Sequence, residues 1–246
     1  MSTLRRHGLF LKGGAAASSL LTGLVSYYKL DDVAGNAIDS TGTNPGTVVG
    51  ATQGAAGKIG TAYSFDGNDY INIDNAVNDL AATTAGTWAA WVKPTDATPV
   101  ILSEIMAFGD ANANEILELA IYTDGTLRAY CADNGVGQFN LSTNSAVFSD
   151  GVWCHVMLGQ DGVSPVLYIN GVAVAQTFSA QYNKLAWFNI LTGIDNGRIG
   201  CRNVNNAGNI SFFNGSIDEV GIWSRALTPT EITELYNSGS GKTYPF

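Results

Sequence analysis

The chain has 246 residues, of which 21 are acidic and 12 are Lys or Arg, for a net charge of -9 at pH 7. That length suits one large sandwich or two small domains, and a field of that sign repels phosphate backbones, which excludes nucleic acid as a partner of the main body. No apolar run is long enough to span a bilayer, and Cys131, Cys154 and Cys201 cannot make a dense disulfide framework; they read as reduced thiols, as in a protein assembled in a cytoplasm.

In chain order, residues 1–22 read as an N-terminal anchoring arm and residues 23–246 as one domain. In the arm, Arg5, Arg6 and Lys12 suit an acidic partner surface, and Leu9, Phe10 and Leu11 supply apolar anchors. Lys12 splits the apolar run and Gly13-Gly14 weakens a helix, so the segment reads as a docking arm and not as a secretory leader. Residues 23–30 read as a first strand, and residues 31–47 form a turn region rich in Asp, Gly, Asn and Ser. Residues 61–65 and 70–73 read as a hairpin about Asp66-Gly-Asn-Asp69.

Residues 86–94 are the clearest core strand, ended by Pro94. Strands follow at 101–107, 116–122 and 127–132, with residues 123–126 as the turn between the last two. Residues 153–158 pair with 165–169 around Asp161-Gly162, and Asn170-Gly171 turns the chain into 172–176. Residues 198–201 and 210–213 precede a terminal strand that ends at Trp223. The period then changes: Thr228 as N-cap, Pro229 at the first helical position and Glu231 three residues after the cap predict a short helix carrying Ile232, Leu235 and Tyr236. The fold class is all-β: a two-layer antiparallel β-sandwich (jelly roll) with an N-terminal extended arm and a short C-terminal helix. Trp88, Trp91, Trp153 and Trp223 are expected to fill the space between the sheets.

The order of motifs resembles the laminin-G-like jelly roll of the concanavalin A-like lectin and glucanase superfamily. The matching pieces are Tyr27-Tyr-Lys-Leu-Asp31 with Asp39-Ser-Thr-Gly42; Gly57-Lys-Ile-Gly60 through Phe65-Asp-Gly67; Trp88-Ala-Ala-Trp-Val92; Asp150-Gly-Val-Trp-Cys-His-Val156; Leu167-Tyr-Ile-Asn-Gly171; Arg198-Ile-Gly200; and Gly215-Ser-Ile-Asp-Glu-Val-Gly-Ile-Trp223. Residues 20–32 also look like the start of such domains in tailed-phage structural proteins. The resemblance implies a domain that binds or presents a surface and a structural calcium at the sheet edge, with Asp31, Asp39 and Asp218 at the matching acidic positions. The plainer alternative makes these turn acids, with Asp39 capping Ser40-Thr41 and Asp218 bonding backbone amides.

Superfamily glucanases carry carboxylates on one strand face, where they can flank a glycosidic bond. Here Glu115 and Glu118 have odd spacing and are expected on opposite faces, and the adjacent Asp218 and Glu219 are expected to diverge. Cys154 and His155 are likewise adjacent on one strand, which excludes a catalytic pair. For a glycan, the candidates are Trp187 with Asn189 in an irregular segment, and Tyr130 and Arg202.

Three function classes stay open. The reading that accounts for the arm is a non-enzymatic virion structural or decoration protein. It would dock on other virion or assembly proteins, possess no membrane span, work as a monomer or homo-oligomer, and present a lectin-like surface to glycans. The alternatives are a secreted or cell-surface carbohydrate-binding module and a glycoside hydrolase.

Overall fold

The computed structural model describes residues 18–246, so the arm residues Arg5, Arg6, Leu9, Phe10, Leu11 and Lys12 lie outside the described residues. Its strands are β1 (Leu24–Tyr28), β2 (Thr47–Val49), β3 (Thr52–Ala56), β4 (Thr61–Asp66), β5 (Tyr70–Asn72), β6 (Gly86–Pro94), β7 (Ser103–Gly109), β8 (Ile116–Ile121) and β9 (Leu127–Asp133). They continue with β10 (Val136–Thr143), β11 (Cys154–Gln160), β12 (Pro165–Ile169), β13 (Val172–Ala173), β14 (Gln176–Gln181), β15 (Asn196–Ile199), β16 (Arg202–Asn203), β17 (Asn209–Ile210) and β18 (Asn214–Trp223). Two short helices, α1 (Val77–Leu80) and α2 (Pro229–Tyr236), complete the regular elements.

The first sheet runs β13-β12-β11-β6-β18-β4-β3, with β1 also paired to β18; the second runs β14-β10-β9-β8-β7-β15-β5-β2. β16 and β17 form a separate two-stranded flap. Between the sheets lies the main core, where Trp88, Phe108, Leu117, Leu119, Ala129, Cys131, Phe139, Val156, Leu158 and Ile222 meet. The alternation predicted for a two-layer sandwich is therefore present: the inward residues of each strand fill this layer, and the residues between them face outward.

The chain passes between sheets where a hairpin was expected. β4 pairs with β3 and β18 in the first sheet, whereas β5 pairs with β15 and β2 in the second. Gly67 at φ 99 and Asp69, whose Oδ2 accepts the Asp66 amide at 2.9 Å, shape this crossing. A tight Asp-Gly turn thus looks the same in sequence whether it joins neighbours in one sheet or corners of two.

Trp223 and Trp91 also differ from expectation. Trp88 lies between the sheets, but Trp223 faces outward from the first sheet into a second apolar layer with Leu20, Tyr27, Ala89, Met157, Leu227, Ile232 and Leu235. Trp91 stacks on Tyr236 of α2, and Trp153 sits half-buried under Lys93. The outer face of the first sheet carries too many large apolar groups to meet water, so α2, residues 18–22 and the C-terminal Tyr244 and Phe246 roof it.

The predicted cap of α2 is present in full. The Thr228 side chain accepts the Glu231 amide, and the Glu231 carboxylate accepts the Thr228 amide at 2.8 Å. Arg225 donates to both Glu231 oxygens, at 2.8 and 2.7 Å, and to the carbonyls of Thr22 and Ser19. This guanidinium is the main reason the Glu231 carboxyl is held down to about 2. Leu20 is fully buried, and its carbonyl accepts the Trp223 indole N–H at 2.8 Å. Residues 18–22, which the sequence reading assigns to the arm, thus pack against the last strand and helix.

Candidate functional site

Among the described residues no helix covers the outer face of the second sheet. Because Leu117, Leu119, Ala129 and Cys131 point inward, their neighbours Glu118, Arg128 and Tyr130 must point outward on β8 and β9. The flap brings Arg202 over the same face and anchors it by packing Val204 on Ala107, Ile116 and Ala132. Consecutive left-handed residues Asn205 and Asn206, at φ 56 and 58, turn the flap back, and their amides bond carbonyls of residues 110–113.

Two guanidiniums clasp one carboxylate. Arg128 Nη1 donates to Glu118 Oε1 at 2.8 Å and Arg202 Nη1 donates to Oε2 at 2.8 Å. Arg128 also donates through Nε to Asn140 Oδ1 at 2.9 Å and lies 4.8 Å from the Tyr130 ring centre and 5.4 Å from that of Tyr122. Glu104 of β7 comes up beside Glu118, with one oxygen 3.6 Å from Arg202 Nη1 and no hydrogen-bond partner on either oxygen. Burial first, and the neighbouring Glu118 second, push the Glu104 carboxyl well above the usual carboxylate range. Two guanidiniums thus lie above two buried acids, one of which, Glu104, has no hydrogen-bond partner of its own.

Both carboxyl groups are closed to solvent, whereas the Arg128 and Arg202 side chains keep 13% and 22% of their surface. Two acids do converge here, but neither can reach a glycosidic bond through the arginines above them. Sequence spacing compared Glu115 with Glu118 and missed Glu104, because Glu104 arrives from a neighbouring strand across a register shift after Glu104.

Of the four predicted glycan contacts, Tyr130 and Arg202 meet on this face, both half-buried. Trp187 does not: it is fully buried against Trp88, with ring centres 5.6 Å apart, and a Cβ on Gly86 would collide with its indole. A ring closed on both sides offers no platform to a sugar, so that expectation is corrected. Asn189 is exposed, but its amide bonds the Thr83 carbonyl at one end of the sandwich, and no hydrogen bond or ring contact among the described residues joins it to Tyr130 or Arg202.

The three predicted metal acids are not one ligand set. Asp39 is buried and spends both oxygens on the amides of Tyr27, Thr41, Thr43 and Asn44, the turn-acid alternative. Asp31 and Asp218 bracket residues 57–61: Asp31 Oδ1 accepts the Thr61 amide at 2.8 Å, and Asp218 Oδ2 accepts those of Lys58 and Ile59 at 2.8 and 3.0 Å. Glu219, not Asp39, is the third acid near them. A bulge in β18, with Glu219 at φ 50, turns Asp218 and Glu219 to the same side, correcting the expected divergence. Asp218 Oδ1 and Glu219 Oε1 are buried without partners. Burial is the main cause that pushes Asp218 up to about 8 and Glu219 up to about 7. Among the described residues no three His, Cys, Asp or Glu side chains gather as metal ligands. A cation there would take Asp218 Oδ1 and Asp31 and draw its remaining oxygens from backbone or water.

His155 is fully buried between Trp91 and Tyr236, and burial holds it down to about 3. Cys154 faces the main core instead, so the two cannot act together.

These features define a lectin-like sandwich with one open, arginine-lined sheet face. Residues 65–233 match the family model described as the concanavalin A-like lectin/glucanases superfamily, and the chain belongs to that superfamily. No curated protein matches the sequence. Among solved structures, domain 4 of AbnA, a GH43 extracellular arabinanase from Geobacillus stearothermophilus in complex with arabinotriose, is 25% identical with a TM-score of 0.61. That match covers 86% of this chain and 97% of that one. The Ruminococcus gnavus IT-sialidase CBM40 bound to alpha2,3 sialyllactose is 17% identical with a TM-score of 0.61, covering 71% of this chain and 96% of that one. A Trypanosoma rangeli sialidase is 18% identical with a TM-score of 0.64, covering 93% of this chain and 35% of that one.

The first two of these matches are single modules of glycosidases, an arabinanase domain and a sialidase CBM40. They overturn the virion reading: the similar structures are carbohydrate-binding and glycosidase modules, not tailed-phage structural proteins, and nothing in them supports virion assembly partners or a particle surface. No helix among the described residues is long and apolar enough to cross a membrane.

Proposed function

We propose that this chain is a secreted or cell-surface carbohydrate-binding module that holds an acidic glycan terminus on the open face of β8 and β9. The observation that supports it is the Arg128–Glu118–Arg202 row beside the half-exposed Tyr130 ring. Two planar guanidiniums, fixed from beneath by one carboxylate, present their remaining N–H groups to a planar anion such as a sugar carboxylate. Tyr130 and the exposed Tyr122 offer ring surface to the apolar side of the sugar. Between the ligands held by the two similar modules, sialyllactose and arabinotriose, the outward guanidinium N–H groups of this face favour the acidic one.

Calorimetry of the full chain with 3′-sialyllactose and arabinotriose tests this. Binding of the first, lowered about tenfold or more in Tyr130→Ala and Arg202→Gln proteins that keep a native spectrum, supports the reading. Binding indifferent to both substitutions, or confined to arabinotriose, overturns it. A structural calcium at Asp31 and Asp218 belongs to the same proposal and rests on the unpartnered Asp218 Oδ1. Its measurement is a higher melting temperature in calcium than in chelator, an increment lost in Asp218→Asn.

A further inference from the structure

We infer that the roofed face carries a second ligand site, a pocket for one neutral sugar ring between the first turn of α2 and strands β6, β11 and β12; it rests on the carbohydrate-binding reading. The cavity measures about 240 Å³, room for about eight waters at roughly 30 Å³ each, which admits a single ring and no oligosaccharide. Val166, Leu227 and Ile232 supply an apolar floor, and the half-buried Tyr168 forms a wall. Gly159 lies alongside and lines the cavity with bare backbone.

The rim is polar and under-used. Asp161 commits Oδ1 to the amides of Val163 and Ser164, at 2.8 and 3.1 Å. Its other oxygen, the Ser164 hydroxyl and the Tyr168 hydroxyl have no hydrogen-bond partner among the described residues, and all three residues line the cavity. Among the described residues no Lys, Arg or His lines it. Acceptors above an apolar floor match a sugar's hydroxyl edge and its C–H face. A carboxylate on the rim selects against the anionic ligand that the opposite face favours. The two faces therefore take sugars of different charge, which gives one module two points of attachment.

The test is ligand-observed NMR and calorimetry of the full chain with the methyl glycosides of galactose, glucose, mannose and arabinose. At least one is expected to bind in about the millimolar range. Asp161→Asn and Tyr168→Phe should each weaken it about tenfold, while Tyr130→Ala leaves it unchanged. Asp161 is exposed, so its variant keeps the fold. Absence of binding at about 50 mM of all four glycosides, or binding lost in Tyr130→Ala and kept in Asp161→Asn, overturns the inference. Glycoside binding at Asp161 with no 3′-sialyllactose binding leaves the pocket standing and removes the open-face reading; 3′-sialyllactose binding with no glycoside binding does the reverse.

Discussion

The two outer faces of this sandwich start from similar alternating strands and end in opposite states. On the first sheet, outward positions hold Tyr27, Ala89, Met157 and Trp223, and α2 with residues 18–22 and the C-terminal Tyr244 and Phe246 closes over them. On the second, outward positions hold Glu118, Arg128 and Tyr130, and among the described residues only the small flap covers part of them. Large apolar groups demand a roof because each exposed one loses about 1.5–3 kcal/mol of burial energy. Ion pairs that satisfy one another laterally need no roof, so that face stays free to meet a ligand. The roofed side accounts for stability, and the proposed anionic-glycan site lies on the open side.

The largest effect should come from breaking the roof. Trp223→Ala removes a fully buried indole and its bond to the Leu20 carbonyl, and should cost about 3–5 kcal/mol in urea unfolding. Leu20→Ala, on the facing chain end, should cost about 2–4 kcal/mol. A value near zero for Leu20 would detach residues 18–22 from the domain and sharpen the boundary. On the open face, Tyr130→Ala should leave the melting temperature nearly unchanged while lowering glycan affinity, the reverse pattern.

The roofed side should also carry the pH dependence. Asp218 and Glu219 have folded values raised to about 8 and about 7 from ordinary values of 3.8 and 4.5. The folded state therefore binds more protons than the unfolded chain above pH 4. Their contribution to stability is fully present below about pH 4 and is lost as pH rises toward 7–8, opposed below pH 6.5 by His155, which is buried in its neutral form. Unfolding free energies measured across that range should fall for the native chain and fall less for Asp218→Asn. The smallest effect belongs to the helix cap: Thr228→Ala should cost about 1 kcal/mol.

Much of this was legible in the residues. The cap of α2 was, because Thr228, Pro229 and Glu231 act within four residues and need no tertiary partner. The β11–β12 pairing around Asp161-Gly162 was legible for the same reason. Half of the open site was too, since Tyr130 and Arg202 do meet there. Glu104 was not legible, because its partner is on another strand and a register shift sets which face it joins. Trp187 misled because an irregular, Asn-rich stretch looks exposed, yet its indole is drawn into the core beside Trp88.

Sequence alone determined the all-β sandwich and the short capped helix, since alternation, turn chemistry and capping are local and act over a few neighbours. Only the tertiary structure decided which sheet each strand entered, which face was roofed and which acids came together. Those outcomes depend on pairing between residues far apart in the chain, as when the bulge at Glu219 turns two adjacent acids to one side.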